Sequence, residues 1–122
     1  MILVEADDDL AACVLDYFGG HYDVIRVSDL ETASRELRSG TIDVLFADID
    51  TGAPAETAVV ESLRRDHPNL KIIVTYLAPS PGEDWKDRVS GLADVVVRKP
   101  YSVLDVDRSL RENGGDTRGN RN

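Results

Sequence analysis

The sequence of 122 residues has few of the side chains that build disulfide frameworks and zinc sites. A single cysteine, Cys13, excludes an internal disulfide, and the two histidines, His21 and His67, are too far apart for a zinc-binding pattern. Long apolar runs are also absent, since the stretches at 72–74 and 95–97 are far too short to cross a bilayer. The first residues carry no basic charge of the kind that begins a signal peptide, so we expect a cytoplasmic location.

Basic residues are in the minority. Against 23 acidic residues stand 14 lysines and arginines, which gives a net charge of −9. This balance argues against direct binding to nucleic acid or to an anionic membrane, both of which need a basic surface. It suits a cation site or a basic partner. The hydrophobic fraction of 42% and the chain length are those of one globular domain.

Five short runs rich in valine and isoleucine alternate with five helix-like stretches. The predicted strands are Ile2–Glu5, Tyr22–Val27, Asp43–Asp48, Leu70–Thr75 and Ala93–Arg98. Capping boxes at Ser28–Glu31 and Ser102–Asp105 indicate where the second and fifth helices begin. The short fourth helix is placed within Gly82–Leu92. We expect one domain over residues 1–112 and a disordered polar tail over 113–122, which contains no apolar residue.

This alternation predicts an α/β fold with a parallel sheet covered by helices on both faces. Ligands of such sheets bind at the carboxyl ends of the strands. There the sequence places Glu5, Asp48, Asp50 and Lys99, with Asp7 close by. Crowded carboxylates attract a hard cation such as Mg²⁺, and a lysine opposite them can hold an anion. Together they are the groups needed to move a phosphoryl group onto an aspartate.

Each of these groups also has a plainer explanation. Asp7, Asp8 and Asp9 can cap the first helix and complement its dipole. Asp48 can be an ordinary polar strand end, and Lys99 can be a solvated loop residue. What indicates a site is the convergence of these groups at one edge of the sheet.

Three segments resemble the receiver domain of two-component response regulators. They are Ile2–Glu5 with the acids that follow it, Ile42–Asp48, and Ala93–Tyr101, which contains a Lys-Pro-aromatic sequence. The resemblance covers nearly the whole chain. It implies a flavodoxin-like (CheY-like) fold with a five-stranded parallel sheet of order 2-1-3-4-5 and helices on both faces.

The resemblance also implies roles for individual residues. Asp48 would be the phosphoacceptor, and Lys99 would bind the phosphoryl oxygen. Glu5, Asp48 and the backbone carbonyl of Asp50 would serve a Mg²⁺ site. Pro100 would shape the loop after Lys99.

The sequence departs from the family pattern at several positions. The second acid after the first strand is replaced by Ala6, which predicts weak Mg²⁺ binding, with Asp7 as an alternative ligand if the loop is shifted by one residue. The phosphate-binding hydroxyl falls on Thr75 or Tyr76, and we favour Thr75 because a small side chain leaves room for a phosphoryl group. The aromatic switch position, three residues before the lysine, is Val96.

The implied partner is a sensor histidine kinase or a phosphotransfer protein, with a conformational change as the output. A homodimer or partner surface is predicted from an aromatic and arginine-rich face. Its residues are Trp85, Arg98, Tyr101, Asp105 and Arg108.

Two alternative functions remain. Ala6 and Val96 favour a degenerate receiver that binds proteins without phosphorylation. The segment Phe46–Gly52 is similar to the nucleophile loop of haloacid-dehalogenase phosphatases, in which an acid such as Asp50 would act as general acid. A receiver stops after one self-phosphorylation, so we expect no turnover enzyme, and turnover of a phosphate ester would identify a phosphatase.

Overall fold

The computed structural model describes residues 1–50, 54–77 and 83–114, and in this part of the chain five strands alternate with five helices. The strands are β1 (Ile2–Val4), β2 (Ile25–Val27), β3 (Val44–Asp48), β4 (Lys71–Leu77) and β5 (Val95–Lys99). The helices are α1 (Asp8–Phe18), α2 (Leu30–Leu37), α3 (Pro54–Asp66), α4 (Glu83–Ser90) and α5 (Val103–Gly114).

All five strands form one parallel sheet in the order β2-β1-β3-β4-β5. The predicted fold class and strand order are therefore confirmed. Strand order reverses beside β1, and the crevice outside the carboxyl ends of β1 and β3 is the usual ligand position in such a sheet. The register pairs Val4 with Ala47 and Asp48 with Thr75, which brings these strand ends to one edge.

Alternate residues of the strands enter two apolar clusters, one on each face of the sheet. Side chains such as Ile2, Leu45 and Ile72 pack with residues of α2, α3 and α4. Leu3, Phe46 and Ile73, which point the other way, pack with α1 and α5. The near-continuous apolar sequences of the central strands follow from this burial on both faces. A fully buried leucine, isoleucine or phenylalanine contributes roughly 1.5–3 kcal/mol relative to exposure.

The predicted N-terminal capping residue is found at helix α5 but not at helix α2. Ser102 precedes α5 as predicted, and its Oγ accepts a hydrogen bond from the Leu104 amide at 3.1 Å. The cap of α2 is Asp29 rather than Ser28, because Asp29 Oδ1 accepts the Thr32 amide at 2.7 Å. The pKa of Asp29 is lowered by this bond. A carboxylate competes well for a helix N-terminus because it also complements the dipole.

Some strands begin later than predicted, because the backbone amides at their predicted starts donate hydrogen bonds to a preceding helix. β2 begins three residues later than predicted, because the Tyr22 amide bonds to Phe18 at the end of α1. β5 begins two residues later, because the Ala93 amide bonds to Val89 and closes α4. β4 continues two residues beyond Thr75 to Leu77. Helix α5 includes the first two residues of the predicted tail, while 115–122, like Gly82 at the predicted start of α4, lie outside the described residues.

The α3–β4 and α4–β5 connections are held together by one arginine. Arg64 donates to the carbonyls of Leu92 and Pro68 at 2.8 and 3.0 Å and to Asp94 Oδ2 at 3.0 Å. The same Asp94 oxygen accepts the Ile72 amide at 2.8 Å. This network fixes the amino ends of β4 and β5, opposite the candidate site. In the described part of the chain, every helix is too short or too polar to span a membrane.

Candidate functional site

Asp48 is the last residue of β3 and lies directly opposite Thr75 of β4. The Thr75 hydroxyl donates a hydrogen bond to Asp48 Oδ1 at 3.0 Å. Thr75 is fully buried, whereas the Asp48 side chain is 27% exposed and remains reachable from outside. The neighbouring Tyr76 is buried against Trp85, with ring centroids 5.1 Å apart. Of the two hydroxyl candidates, Thr75 is thus the one that contacts the Asp48 carboxylate.

Lys99 brings a positive charge from the end of β5 to the same carboxylate. Its Nζ lies 3.1 Å from Asp48 Oδ2 and 3.0 Å from Glu5 Oε2. Burial acts to lower the pKa of Lys99, but the hydrogen bonds and charges of Glu5 and Asp48 outweigh it, and the pKa lies above its ordinary value. Lys99 is therefore a fixed cation that bridges two carboxylates. The Lys99–Pro100 peptide bond is cis.

Glu5, just beyond β1, is a charged residue that the fold buries, with 3% of its surface exposed. Besides Lys99, its Oε2 accepts the Asp7 amide at 3.1 Å. Oε1 is also buried and has no hydrogen-bond partner within the described residues. A buried carboxylate oxygen without a partner is costly, so Glu5 depends strongly on its one ion pair.

Asp7 caps helix α1. Its Oδ1 accepts the amides of Asp9 and Leu10 at 2.9 and 3.1 Å. The plainer explanation considered for the acids after β1 therefore holds for Asp7. Asp7 as a metal ligand remains a prediction, and one of its two oxygens is already committed to the helix.

An open cleft of about 420 Å³ adjoins Asp48 at the carboxyl ends of β1 and β3. Its polar walls include the acids Asp29, Asp48, Asp50 and Glu56, and Ala6 lies among its lining residues. No lysine or arginine is among the described residues that line it. The cleft gives an incoming group access to Asp48.

Sequence reasoning missed two contacts that shape this edge. The Asp50 amide donates to Glu56 Oε1 at 2.7 Å, which ties the end of β3 to the first turn of α3. Arg26 on β2 donates from Nε and from one terminal nitrogen to the Glu5 carbonyl at 3.0 and 2.7 Å. It also pairs with Asp8 at 3.0 Å. A glutamate in a helical first turn and an arginine on an edge strand are visible in the sequence, but their partners depend on the fold.

The Mg²⁺ site implied by the resemblance does not fit the side chains described. Within 1–50, 54–77 and 83–114, no cluster of three or more histidine, cysteine, aspartate or glutamate side chains is placed to hold a metal ion. Ala6 offers no ligand where a second acid would stand, and Glu5 Oε2 is already paired with Lys99. Mg²⁺ requires near-octahedral oxygen ligands and sheds water reluctantly, so two carboxylates that are already paired with Lys99 make a poor site.

The positions expected to transmit a signal are apolar or partly buried. Val96 packs against the cluster formed with α2, α3 and α4. Tyr101 packs on the other face, with its ring 6.0 Å from that of Phe46. Burial, and then the charges of Glu5 and Asp48, raise the pKa of Tyr101. Its hydroxyl is buried and has no hydrogen-bond partner in the described part of the chain.

No protein-family model matches the sequence, and no curated protein matches it significantly. Solved structures do resemble its fold. A response regulator from Thermotoga maritima superposes with a TM-score of 0.75 at 18% identity, over 92% of this chain and 93% of that one. The receiver domain of the Francisella response regulator 1452 gives a TM-score of 0.71 at 18% identity, over 92% and 93% of the two chains.

Longer proteins contain the same fold as one part. The match to NtrX from Brucella abortus, solved with ADP, has a TM-score of 0.69 at 14% identity and covers 93% of this chain but 26% of that one. At these identities the comparisons establish the fold. The chain has the fold of response-regulator receiver domains, as its sequence predicted.

Proposed function

We propose that this domain is a response-regulator receiver that accepts a phosphoryl group on Asp48 from the phosphohistidine of a histidine kinase or phosphotransfer protein. One observation carries the proposal. The carboxylate of Asp48 stands at the carboxyl end of β3 with Lys99 on one oxygen and Thr75 on the other, beside an open cleft. The likeness of the fold to solved receiver domains supports it.

The chemistry is a transfer between two nucleophiles. A carboxylate oxygen of Asp48 attacks phosphorus, the phosphorus–nitrogen bond of phosphohistidine breaks, and the imidazole leaves with its electron pair. The product is an acyl phosphate. Lys99 and the Thr75 hydroxyl, which donate to the free carboxylate, are placed to donate to phosphoryl oxygens once the charge has moved outward.

The predicted output is a shift between two conformations. Phosphorylation can shift such an equilibrium only if the phosphoryl group contacts the two states differently. Lys99 ends β5 and Thr75 lies on β4, so a change of partner by either side chain acts directly on the edge of the sheet. Val96 has no aromatic ring to rotate, and the relay we propose therefore runs through movement of Lys99 and its neighbour Tyr101.

The partner surface predicted from the sequence is only partly open. Trp85 and Tyr101 pack in clusters on opposite faces of the sheet, and neither is fully exposed. Arg98, Asp105 and Arg108 are exposed, and the last two form a salt bridge of 3.2 Å. A homodimer or partner contact through this face, which we retain as part of the proposal, would thus depend mainly on charged residues.

A degenerate receiver that binds proteins without phosphorylation is the second candidate. The specific observation that favours it is Ala6, which supplies no carboxylate where the family pattern has a second acid. For that reason no step of the proposed reaction is assigned to Mg²⁺. A receiver modifies itself once, so neither candidate is a turnover enzyme.

Intact-mass measurement after incubation with acetyl phosphate tests the proposal. We expect one added phosphoryl group in the wild type, none in Asp48→Asn, and the normal adduct in Asp43→Asn, an exposed aspartate at the other end of β3. A folded wild-type protein that gains no phosphoryl group over hours would support the second candidate. Continued hydrolysis of p-nitrophenyl phosphate would instead indicate the phosphatase alternative.

A further inference from the structure

Two basic side chains, Lys99 and Arg26, lie at the strand ends where the family resemblance implies a divalent ion. Lys99 Nζ lies between Glu5 Oε2 and Asp48 Oδ2, at 3.0 and 3.1 Å. These are the only two acidic side chains that the ammonium group contacts in the described part of the chain. With one ammonium group between two carboxylates, half of the negative charge that would attract a metal ion is already neutralised.

The second cation is Arg26. A hollow of about 400 Å³ is lined by Glu5, Ala6, Arg26, Val27 and Ser28. The guanidinium group is held there by two hydrogen bonds to the Glu5 carbonyl and by its salt bridge to Asp8. The hollow beside Ala6, which a longer acidic side chain would partly fill, is therefore bordered by the positive charge of Arg26. A divalent cation entering it would meet repulsion and would gain no ligand from Ala6.

We infer that Lys99 serves as the resident cation between Glu5 and Asp48, and that its charge, together with the carboxylate missing at Ala6, leaves the site too little negative charge to bind a divalent cation. The inference deepens the proposed function, on which it rests only for the role of Asp48 as acceptor. Its consequence is that phosphorylation of Asp48 proceeds at the same rate with and without Mg²⁺. The positive charge that the reaction needs comes from Lys99.

Direct titration with Mn²⁺, a hard cation with the same preference for oxygen ligands, tests cation binding without any phosphodonor. Free Mn²⁺ is followed by electron paramagnetic resonance in the wild type, Ala6→Asp and Ala12→Asp. Ala12 is an exposed alanine on α1, so its variant adds the same charge away from the cleft. We expect saturable binding only in Ala6→Asp, at least about tenfold tighter than in the other two proteins.

A second variant tests whether the ammonium group of Lys99 occupies the cation position. Lys99→Met removes the ammonium group and leaves Glu5 and Asp48 without their shared partner. If Lys99 occupies the cation position, Mg²⁺ should raise the melting temperature of Lys99→Met in proportion to its binding, and should leave the wild type unchanged. Circular dichroism at low temperature confirms that each protein is folded before heating.

Several results would overturn the inference. One is saturable Mn²⁺ binding by the wild type that is lost in Asp48→Asn. Failure of Ala6→Asp to bind Mn²⁺ would remove the carboxylate missing at Ala6 as a cause, and an unchanged melting temperature of Lys99→Met with Mg²⁺ would remove Lys99 as the resident cation. These outcomes are independent of phosphorylation, since a protein that never gains mass with acetyl phosphate can still give the expected titrations.

Discussion

Glu5 and Lys99 form an ion pair between the ends of two strands that are not neighbours in the sheet, with Nζ and Oε2 3.0 Å apart. The side chains are 2% and 13% exposed, so both charges have been taken out of water. The free-energy cost of desolvating each charge is partly offset, because each side chain provides the other with a close counter-charge. Asp48, on the strand β3 that lies beside β1, shares the same ammonium group. The Asp48 carboxylate is thereby coupled to the stability of the fold.

Removing the ammonium group should destabilise the protein strongly. In Lys99→Met the buried carboxylate of Glu5 loses the only ion pair that it forms within residues 1–50, 54–77 and 83–114, and breaking a buried pair from one side costs about 3–5 kcal/mol. The free energy of unfolding, measured by urea titration at neutral pH, should fall by about this amount. Arg98→Met, at the exposed adjacent position, should change it by less than about 0.5 kcal/mol.

A double-mutant cycle separates the ion pair from the packing of the lysine stem. The double variant Glu5→Gln with Lys99→Met should be more stable than Lys99→Met alone, because no uncompensated buried charge remains. If the changes in the free energy of unfolding caused by the two substitutions are additive, the Glu5–Lys99 pair is not the stabilising contact that its geometry indicates. The same follows if Lys99→Met lowers the free energy of unfolding no more than Arg98→Met does.

The hydroxyl of Thr75 should matter more for phosphorylation than for stability. Thr75→Val keeps the shape of the side chain and removes the donor to Asp48 Oδ1, which water can partly replace because Asp48 is 27% exposed. We expect a loss of about 1 kcal/mol in the free energy of unfolding. The rate of phosphorylation by acetyl phosphate should fall by about tenfold, since one donor to the transferred group is lost.

Thr75→Ser is the matched control, because it keeps the hydroxyl and loses one methyl group. Its rate of phosphorylation, measured by intact mass over time, should stay close to that of the wild type. Equal rates for Thr75→Val and Thr75→Ser would show that the Thr75 hydroxyl takes no part in the reaction.

The sequence predicted which residues lie together at this edge of the sheet better than it predicted the contacts around them. Asp48 and Lys99 could be placed together because the ends of parallel strands share one edge of a sheet. The choice of Thr75 over Tyr76 as the phosphate-binding hydroxyl followed from size alone and stays a prediction, while the register shows that Thr75 lies opposite Asp48. The alternation of strands and helices was enough to predict two covered faces of the sheet.

Side-chain partners that depend on three-dimensional distance could not be predicted. Arg26 is a polar residue of the edge strand β2, and nothing in the neighbouring sequence indicates that its side chain donates to the Glu5 carbonyl. Ser28 and Asp29 are both good helix caps, and the fold decides between them. The start of β2 depends on whether the Tyr22 amide bonds to the sheet or to the end of α1, which is a tertiary choice.

Arg64 should be a major source of stability outside the site. It donates to two backbone carbonyls and to Asp94, and its side chain is 23% exposed. Arg64→Met should lower the free energy of unfolding by about 2–4 kcal/mol, because partly buried acceptors lose a charged donor. The adjacent Arg65, 72% exposed, provides the control. Similar urea unfolding curves for Arg64→Met and Arg65→Met would contradict this expectation.

Asp107 on α5 should give the protein part of its dependence on acid pH. Arg111 bonds to both of its oxygens at 3.1 and 2.8 Å, and the Tyr17 hydroxyl donates to Oδ2 at 2.6 Å. The hydrogen bonds of Arg111 lower the pKa of Asp107 against the opposing effect of burial, and that of Tyr17 adds to the decrease. A carboxyl whose pKa is lower in the folded state stabilises the protein above its unfolded pKa.

The sign of the pH effect follows from this shift. The stabilisation by Asp107 should be complete above the unfolded pKa of about 3.9 and should be lost as the pH falls through the lower folded value. Asp107→Asn should therefore be less stable than the wild type at neutral pH, and the difference between their urea midpoints should narrow in acid. Asp105→Asn, which alters an exposed salt bridge on the same helix, should show little difference at either pH. If the gap between the wild type and Asp107→Asn stays constant across this range, the lowered pKa of Asp107 does not contribute to folding stability.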